Sequence, residues 1–227
     1  MTESPIAELP GGPYDLEFFF DPGCPFAWQT SVWVRNVVAQ TGLRVGWRFI
    51  SLWYINADND VEPAMKQAQA SGLRYHRICA AARERFGNDA VGTLYRLYGE
   101  SYWYVTAQGD LTERLATAAA GIDTARLIAD AGLPADLIDA ADDESYDAVI
   151  QAESAEAFER TGPDVGTPII TFDPPHGNSL FGPVISSAPD GPDAVRLMDA
   201  VRVIASYETF SEFKRTKRAP LELPLFD

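Results

Sequence analysis

The most informative part of the chain is residues 16–28, LEFFFDPGCPFAW. Residues 16–20 form an aromatic run of the kind that favours a buried strand, and Asp21-Pro22-Gly23 is a strong turn signal. Pro25 suits the first position of a helix, because its missing N–H would have no intrahelical acceptor there. The stretch therefore predicts a strand that ends in a turn, followed by a helix with Cys24 at its N-terminus.

The residues that follow extend this pattern into a strand–helix–strand unit. Apolar residues recur at helical spacing from Trp28 to Val38, and Gly42 ends the run. Residues 44–52 alternate between apolar and polar or small side chains, which predicts a second strand. If the two strands are parallel, the unit is a right-handed crossover.

The middle of the chain has a different character. Residues 62–162 are rich in alanine and interrupted by glycines, and they predict helices with short connections, including one long helix over residues 142–160. Strand character returns at residues 167–172 and 179–181, which a proline-rich loop joins into a hairpin.

The last predicted elements are a helix over residues 192–206 and a short helix that carries Phe210 and Phe213. The order is thus βαβ, a helical block, then ββα. Removing the helical block leaves a thioredoxin-like core, so we predict an α/β fold with an inserted all-helical domain. The predicted boundaries are a tail over residues 1–13, a discontinuous core over 14–52 and 143–218, and an insertion over 53–142.

The composition excludes several function classes. The 227 residues include 18 basic and 33 acidic side chains, and the resulting charge of −15 argues against nucleic acid as a partner. Two cysteines and two histidines are too few for a disulfide framework or a typical zinc site, so we expect no metal. We find neither a membrane-spanning run nor a secretory signal at the N-terminus, and we expect a cytoplasmic protein.

Cys24 is the candidate nucleophile. Unpaired N–H groups and the dipole at a helix N-terminus favour negative charge, and a thiolate gains from both. We therefore expect the pKa of Cys24 to fall below the roughly 8.5 of a free cysteine. The alternative is a small buried cysteine that serves only core packing.

A second site element precedes the third predicted strand, where Val165-Gly166-Thr167-Pro168 leads into the sheet. A proline that opens a strand is compatible with ordinary edge chemistry. In a thioredoxin-like core, however, a cis-proline commonly sits there and faces the helix that carries the cysteine. We predict a cis Thr167–Pro168 bond, with the Thr167 backbone beside the thiol.

These motifs, in this order and spacing, resemble the DsbA-like thioredoxin-fold family, and most closely its mycothiol-dependent nitroreductase branch. The resemblance spans nearly the whole chain, although the helical block matches in character more than in motif. It is carried by residues 21–28 (DPGCPFAW), 164–168 (DVGTP), 181–184 (FGPV), 205–207 (ASY) and 213–216 (FKRT).

The resemblance implies a thioredoxin fold with a helical insertion, often in a homodimer. It also implies reduction chemistry that uses a low-molecular-weight thiol, with mycothiol as the expected cofactor and small electrophilic or nitroaromatic compounds as substrates. The implied site has Cys24 as the catalytic residue, and a small thiol or a redoxin would recycle it. Residues expected to bind the substrate or the thiol are Pro25, Phe26, Ala27, Trp28, Thr167 and Pro168.

The chain departs from the wider family at Ala27. The usual motif is Cys-Pro-aromatic-Cys, and its second cysteine attacks the mixed disulfide formed by the first. Two explanations stay open: a natural enzyme that uses one thiol, or an alanine introduced in place of a native cysteine. Cys79 could replace the missing thiol only if its Cα lay within about 7 Å of that of Cys24.

Other functions compete with a thiol-dependent oxidoreductase. A kappa-class glutathione transferase-like isomerase would use a single nucleophile or bound thiol without net thiol oxidation. A thioredoxin-fold binding protein without catalysis would also tolerate the missing cysteine. His76 and His176 fit no recognisable catalytic arrangement, and the basic run over residues 214–218 is expected to be a solvated helix end.

Overall fold

A computed structural model describes residues 8–227 of the protein. Four strands and eight α-helices are present in this part of the chain, with short 3₁₀ turns at Ala135–Asp142, Glu144–Tyr146 and Pro224–Phe226. The strands are β1 (Leu16–Phe20), β2 (Val45–Phe49), β3 (Ile169–Phe172) and β4 (Ser179–Phe181). The helices are α1 (Pro25–Thr41), α2 (Leu52–Ile55), α3 (Pro63–Phe86), α4 (Asn88–Trp103), α5 (Leu111–Ala120), α6 (Thr124–Asp130), α7 (Asp147–Thr161) and α8 (Gly191–Ala205).

The strands form one mixed sheet in the order β2-β1-β3-β4. β1 and β2 are parallel and joined by α1, with Phe18 opposite Trp47, whereas β3 runs antiparallel to β1 and β4 antiparallel to β3. This is the predicted βαβ…ββα order of a thioredoxin fold, with helices inserted between β2 and β3. Gly42 ends α1 in the left-handed conformation, with φ of 73°, as the sequence predicted.

The helices between β2 and β3 share their interior with the sheet. One continuous apolar cluster joins sheet residues such as Phe20 to helical residues such as Tyr95, whose rings stack with centroids 4.0 Å apart. Trp28 of α1 packs its indole directly over Gly99 of α4, a contact that leaves no room for a side chain at that position. The domain boundaries themselves remain a prediction.

Two predicted helices differ from the structure. The long helix expected over residues 142–160 begins only at Asp147, because the Asp143 carboxylate accepts the Ser145 N–H and closes a separate 3₁₀ turn first. The short helix expected around Phe210 and Phe213 is absent. A helical segment of that length is marginal without a buried apolar face, and Phe213 is exposed.

A buried ion-pair network fixes α7 against the sheet. Arg48 of β2 lies 2.7 Å from Glu17 of β1 and 3.0 Å from Glu156 of α7, and Arg160 of α7 lies 2.8 Å from Glu17. Because charges removed from water are costly unless paired, these contacts hold α7 in one position. That position sets where the chain leaves α7 to approach the cis-proline loop.

The predicted N-terminal tail lies partly outside the described residues, which begin at Glu8. Within the described part, Leu9 is buried and the Arg44 guanidinium donates to the carbonyls of Gly11 and Pro13. Residues 9–13 therefore pack against the edge of β2. Among residues 8–227, no helix has the length and apolarity that a membrane crossing needs.

Candidate active site

Cys24 lies at the N-terminus of α1, where it is the residue that caps the helix. Its Sγ accepts the Ala27 N–H at 3.4 Å and lies 3.5 Å from the carbonyl oxygen of Thr167, to which the thiol donates. Pro25 occupies the first helical position, as its chemistry favours. The structure thus brings together the two elements that the sequence singled out, which are 143 residues apart.

The protonation of Cys24 differs from the sequence-based expectation. The pKa of Cys24 is raised to about 12, chiefly by burial; the N–H groups of Ala27 and Phe26 offset part of this rise, and Asp21 adds to it. Only 8% of the cysteine is exposed, so desolvation of the thiolate outweighs the helix terminus. The expected low pKa was therefore wrong for this buried state, in which Cys24 is a thiol.

The loop before β3 forms the other wall of the site. The Thr167–Pro168 bond is cis, as predicted, and both residues are buried. The Thr167 hydroxyl donates to the carbonyl of Phe19 at 3.2 Å, which ties the loop to β1. The Thr167 carbonyl consequently points at the thiol of Cys24 rather than into the sheet.

Asp21 is a site residue that sequence reasoning missed. Its carboxylate is fully buried in the turn before Cys24 and accepts the N–H groups of Gly23 and Leu52, each at 2.7 Å. Helix α3 closes over it, and a Cβ at Gly72 would lie 2.9 Å from the Asp21 Oδ1. Burial raises the pKa of Asp21 to about 7, the two N–H donors offsetting part of the effect.

The predicted binding residues after Pro25 occupy different environments. Phe26 is half-buried and lies under the Arg218 guanidinium, whose Cζ is 5.1 Å from the ring centroid. Ala27 is fully buried, and its methyl group stands where the wider family has a second thiol. Trp28 is also fully buried and packs between α1 and α4, so it supports the site from within instead of lining an open surface.

The remaining candidate side chains are either buried in the interior or exposed on a loop. Cys24 and Cys79 are both free, and burial raises the pKa of Cys79. The His76 Nε2–H donates to the Phe20 carbonyl oxygen at 3.0 Å, and burial lowers the pKa of His76 to about 3, so the imidazole is neutral. His176 is exposed on the loop before β4.

The sequence matches a family model over most of its length. Residues 23–215 match the Rv2466c-like family, described as mycothiol-dependent nitroreductase Rv2466c. A Mycobacterium tuberculosis relative, the uncharacterized protein Rv2286c, is 33% identical over 211 residues, which are 92% of this chain and 85% of the relative.

Similar solved structures include two DsbA proteins. A complex of Proteus mirabilis DsbA with a peptide has 14% identity and a TM-score of 0.49, covering 89% of this chain and 94% of that one. Wolbachia pipientis α-DsbA1 has 14% identity and a TM-score of 0.47, covering 86% and 89% of the two chains. With the family match spanning most of the sequence, the chain belongs to the Rv2466c-like family of mycothiol-dependent nitroreductases.

Proposed function

We propose that this protein is a thiol-dependent oxidoreductase in which Cys24 alone forms a mixed disulfide with a mycothiol-type small thiol. The observation that carries the proposal is the position of the Cys24 Sγ. It sits at a helix N-terminus beside the Thr167 carbonyl, with Ala27 in place of a resolving cysteine. A family of thiol-dependent enzymes supports the same chemistry.

The reaction balances with two small thiols. Cys24 and the first thiol together transfer two electrons and two protons to the oxidised substrate. A disulfide bond forms between their two sulfurs. A second small thiol then attacks the small-thiol sulfur of that disulfide. This step releases the symmetric disulfide of the small thiol and regenerates the Cys24 thiolate, which takes up a proton. The small thiol is thus consumed as a substrate, and a redoxin could take the place of the second molecule.

The chain's own residues would place the reacting atoms. The Ala27 N–H would stabilise negative charge on the sulfur as the Cys24 proton leaves. The Thr167 carbonyl would accept an N–H or O–H of the incoming thiol once the Cys24 thiol no longer donates to it. Phe26 offers a half-buried ring against which a flat nitroaromatic substrate can stack.

Turnover with mycothiol and a nitroaromatic compound tests the proposal. The protein should consume the nitro compound and form mycothiol disulfide in proportion to the electrons transferred. Cys24→Ser should lose at least about a hundredfold in rate because the nucleophile is gone, whereas Cys79→Ala should retain it. Equal rates for Cys24→Ser and the unaltered protein would refute the proposal, and substrate conversion without disulfide formation would favour an isomerase.

One observation favours a second candidate function. Because burial holds Cys24 as a thiol with a pKa of about 12, the site could hold a small-thiol conjugate without reacting with it. Such a binding protein would show saturable binding of a mycothiol conjugate, unchanged in Cys24→Ser, and no turnover. The homodimer and the cytoplasmic location remain proposals, and sedimentation of the purified protein would test the former.

A further inference from the structure

The C-terminal segment carries an unusual concentration of positive charge for this chain. Residues 214–218 read KRTKR, so four of the 18 basic side chains fall within five positions of a protein whose net charge is −15. All five residues are exposed. Two carboxylates lie close by in sequence: Glu212 is 3.8 Å from Lys214, and Glu222 accepts the Ser187 hydroxyl at 2.6 Å. The segment therefore keeps a net positive charge, and we call it the basic strap.

The strap contacts a residue that lies close to the candidate nucleophile in sequence. Arg218 places its guanidinium carbon 5.1 Å from the ring centroid of Phe26, which is two residues after Cys24. A cation at that distance is attracted to the face of the ring. The Phe26 ring, two residues from Cys24 in sequence, is consequently paired with a positive charge.

Buried contacts hold the strap in this place. Gln29, one helical turn after Phe26, is buried and donates to the carbonyls of Glu222 at 3.0 Å and Ser186 at 3.1 Å. The Ser186 hydroxyl donates to the Ala219 carbonyl, and Leu223 and Leu225 are fully buried. The chain that follows Arg218 is thus fastened to α1, the helix that begins next to Cys24.

We propose that the basic strap is a substrate subsite that selects aromatic oxidants carrying a carboxylate. An aromatic ring next to a guanidinium matches a benzoate-like ligand, whose ring can contact Phe26 while its carboxylate pairs with Arg218. The other three cations raise the local concentration of anions around the turn. This inference rests on the proposed function, since it concerns the substrate of the same cysteine.

Two disulfide probes test the charge preference. Dithiobis(nitrobenzoate) is anionic and aromatic, whereas dithiodipyridine is neutral and aromatic. With either probe, Cys24 loses its proton to solvent and its sulfur attacks one probe sulfur. A new S–S bond forms on Cys24, the probe's own S–S bond breaks, and an aromatic thiolate leaves with the electron pair. Peptide mapping and Cys24→Ser report which cysteine reacted.

The ratio of the two rate constants, anionic over neutral, is the measured quantity. We expect Arg218→Ala to lower this ratio about threefold at low salt, and replacement of all four cations by alanine to lower it about tenfold. Added salt should shrink both effects because it screens exposed charges. Arg126→Ala, which removes an exposed cation of α6, is the matched control and should keep the ratio.

The possible results separate this inference from the proposed function. Reaction of Cys24 with both probes, at a ratio unchanged by the four substitutions, overturns the inference alone. If Cys24 reacts with neither probe, the proposed function fails. Isothermal titration calorimetry of ligand binding to the Cys24→Ser protein then tests the inference by itself. There we expect nitrobenzoate to bind more tightly than nitrobenzamide only when the strap is intact. Equal binding of the two compounds overturns the subsite.

Discussion

The buried carboxyl of Asp21 should make stability depend on pH in a direction opposite to that of most aspartates. Burial raises its pKa from 3.8 to about 7 in the folded protein. Between those values the folded protein holds a proton on Asp21 that the unfolded chain has lost, so the free energy of unfolding falls as pH rises. The contribution is present below this window and is lost as pH rises through about 7.

The size of the effect follows from the shift. Each pH unit within the window is worth about 1.4 kcal/mol. Between about pH 5 and about pH 8, about two pH units lie below the folded pKa of Asp21. Over this range the free energy of unfolding should therefore fall by roughly 2.5 kcal/mol because of Asp21. Asp21→Asn cannot ionise, so this loss should be missing from the variant.

The unfolding free energy of Asp21→Asn must be compared with that of the unaltered protein at each pH, because His76 changes stability with pH in the opposite direction. Its pKa is lowered from 6.5 to about 3, so its contribution to stability is lost as pH falls below about 6.5. His76 is present in both proteins, and its effect cancels in the difference. The altered hydrogen bond of Asp21→Asn to Leu52 adds an offset that does not depend on pH.

Urea denaturation followed by circular dichroism measures this difference. The stability of Asp21→Asn relative to the unaltered protein should increase by roughly 2.5 kcal/mol from about pH 5 to about pH 8. Asp60→Asn, which alters an exposed carboxylate, is the matched control. A relative stability of Asp21→Asn that is the same at both pH values would refute the reasoning that Asp21 is buried and protonated near neutrality.

Three further predictions concern the site and its support. Iodoacetamide should alkylate Cys24 at a rate that climbs about tenfold per pH unit up to about pH 9 without a plateau near neutrality, because its pKa is about 12; a plateau below about pH 8 would contradict this burial. Ala27→Cys places a second thiol where the Ala27 N–H already meets the Cys24 sulfur, so accumulated mixed disulfide should fall at least about tenfold by mass spectrometry, whereas Ala27→Ser should leave it unchanged. Gly99→Ala should destabilise the protein by about 2 kcal/mol because its methyl group would overlap Trp28, and Gly121→Ala, with only ordinary contacts, should stay within about 0.5 kcal/mol in the same denaturation assay.

Features governed by neighbouring residues could be predicted from the sequence. The strand at 16–20, the start of α1 at Pro25 and its end at Gly42 all follow local patterns. The order of elements then gave the thioredoxin-like topology. That topology also added the second half of the site, the cis Thr167–Pro168 bond, where local patterns alone indicated only a proline at the edge of a sheet.

What sequence reasoning missed depends on contacts between distant segments. The pKa of Cys24 is set chiefly by how deeply the sulfur is buried, and that depth depends on segments distant in sequence, such as the Thr167 loop. No local sequence pattern indicates it. The same holds for Asp21, which is enclosed by α3 at Gly72, and for Arg218 above Phe26. The sequence shows an aspartate at position 21, but it does not show that this aspartate is buried.

We propose that Cys24 is the residue that forms a mixed disulfide with a small thiol. Incubation of the reduced protein with mycothiol disulfide, followed by intact mass and peptide mapping, tests it most directly. We expect a single small-thiol adduct on Cys24, removed by a reductant and missing in Cys24→Ser. No adduct, or an adduct confined to Cys79, would contradict it.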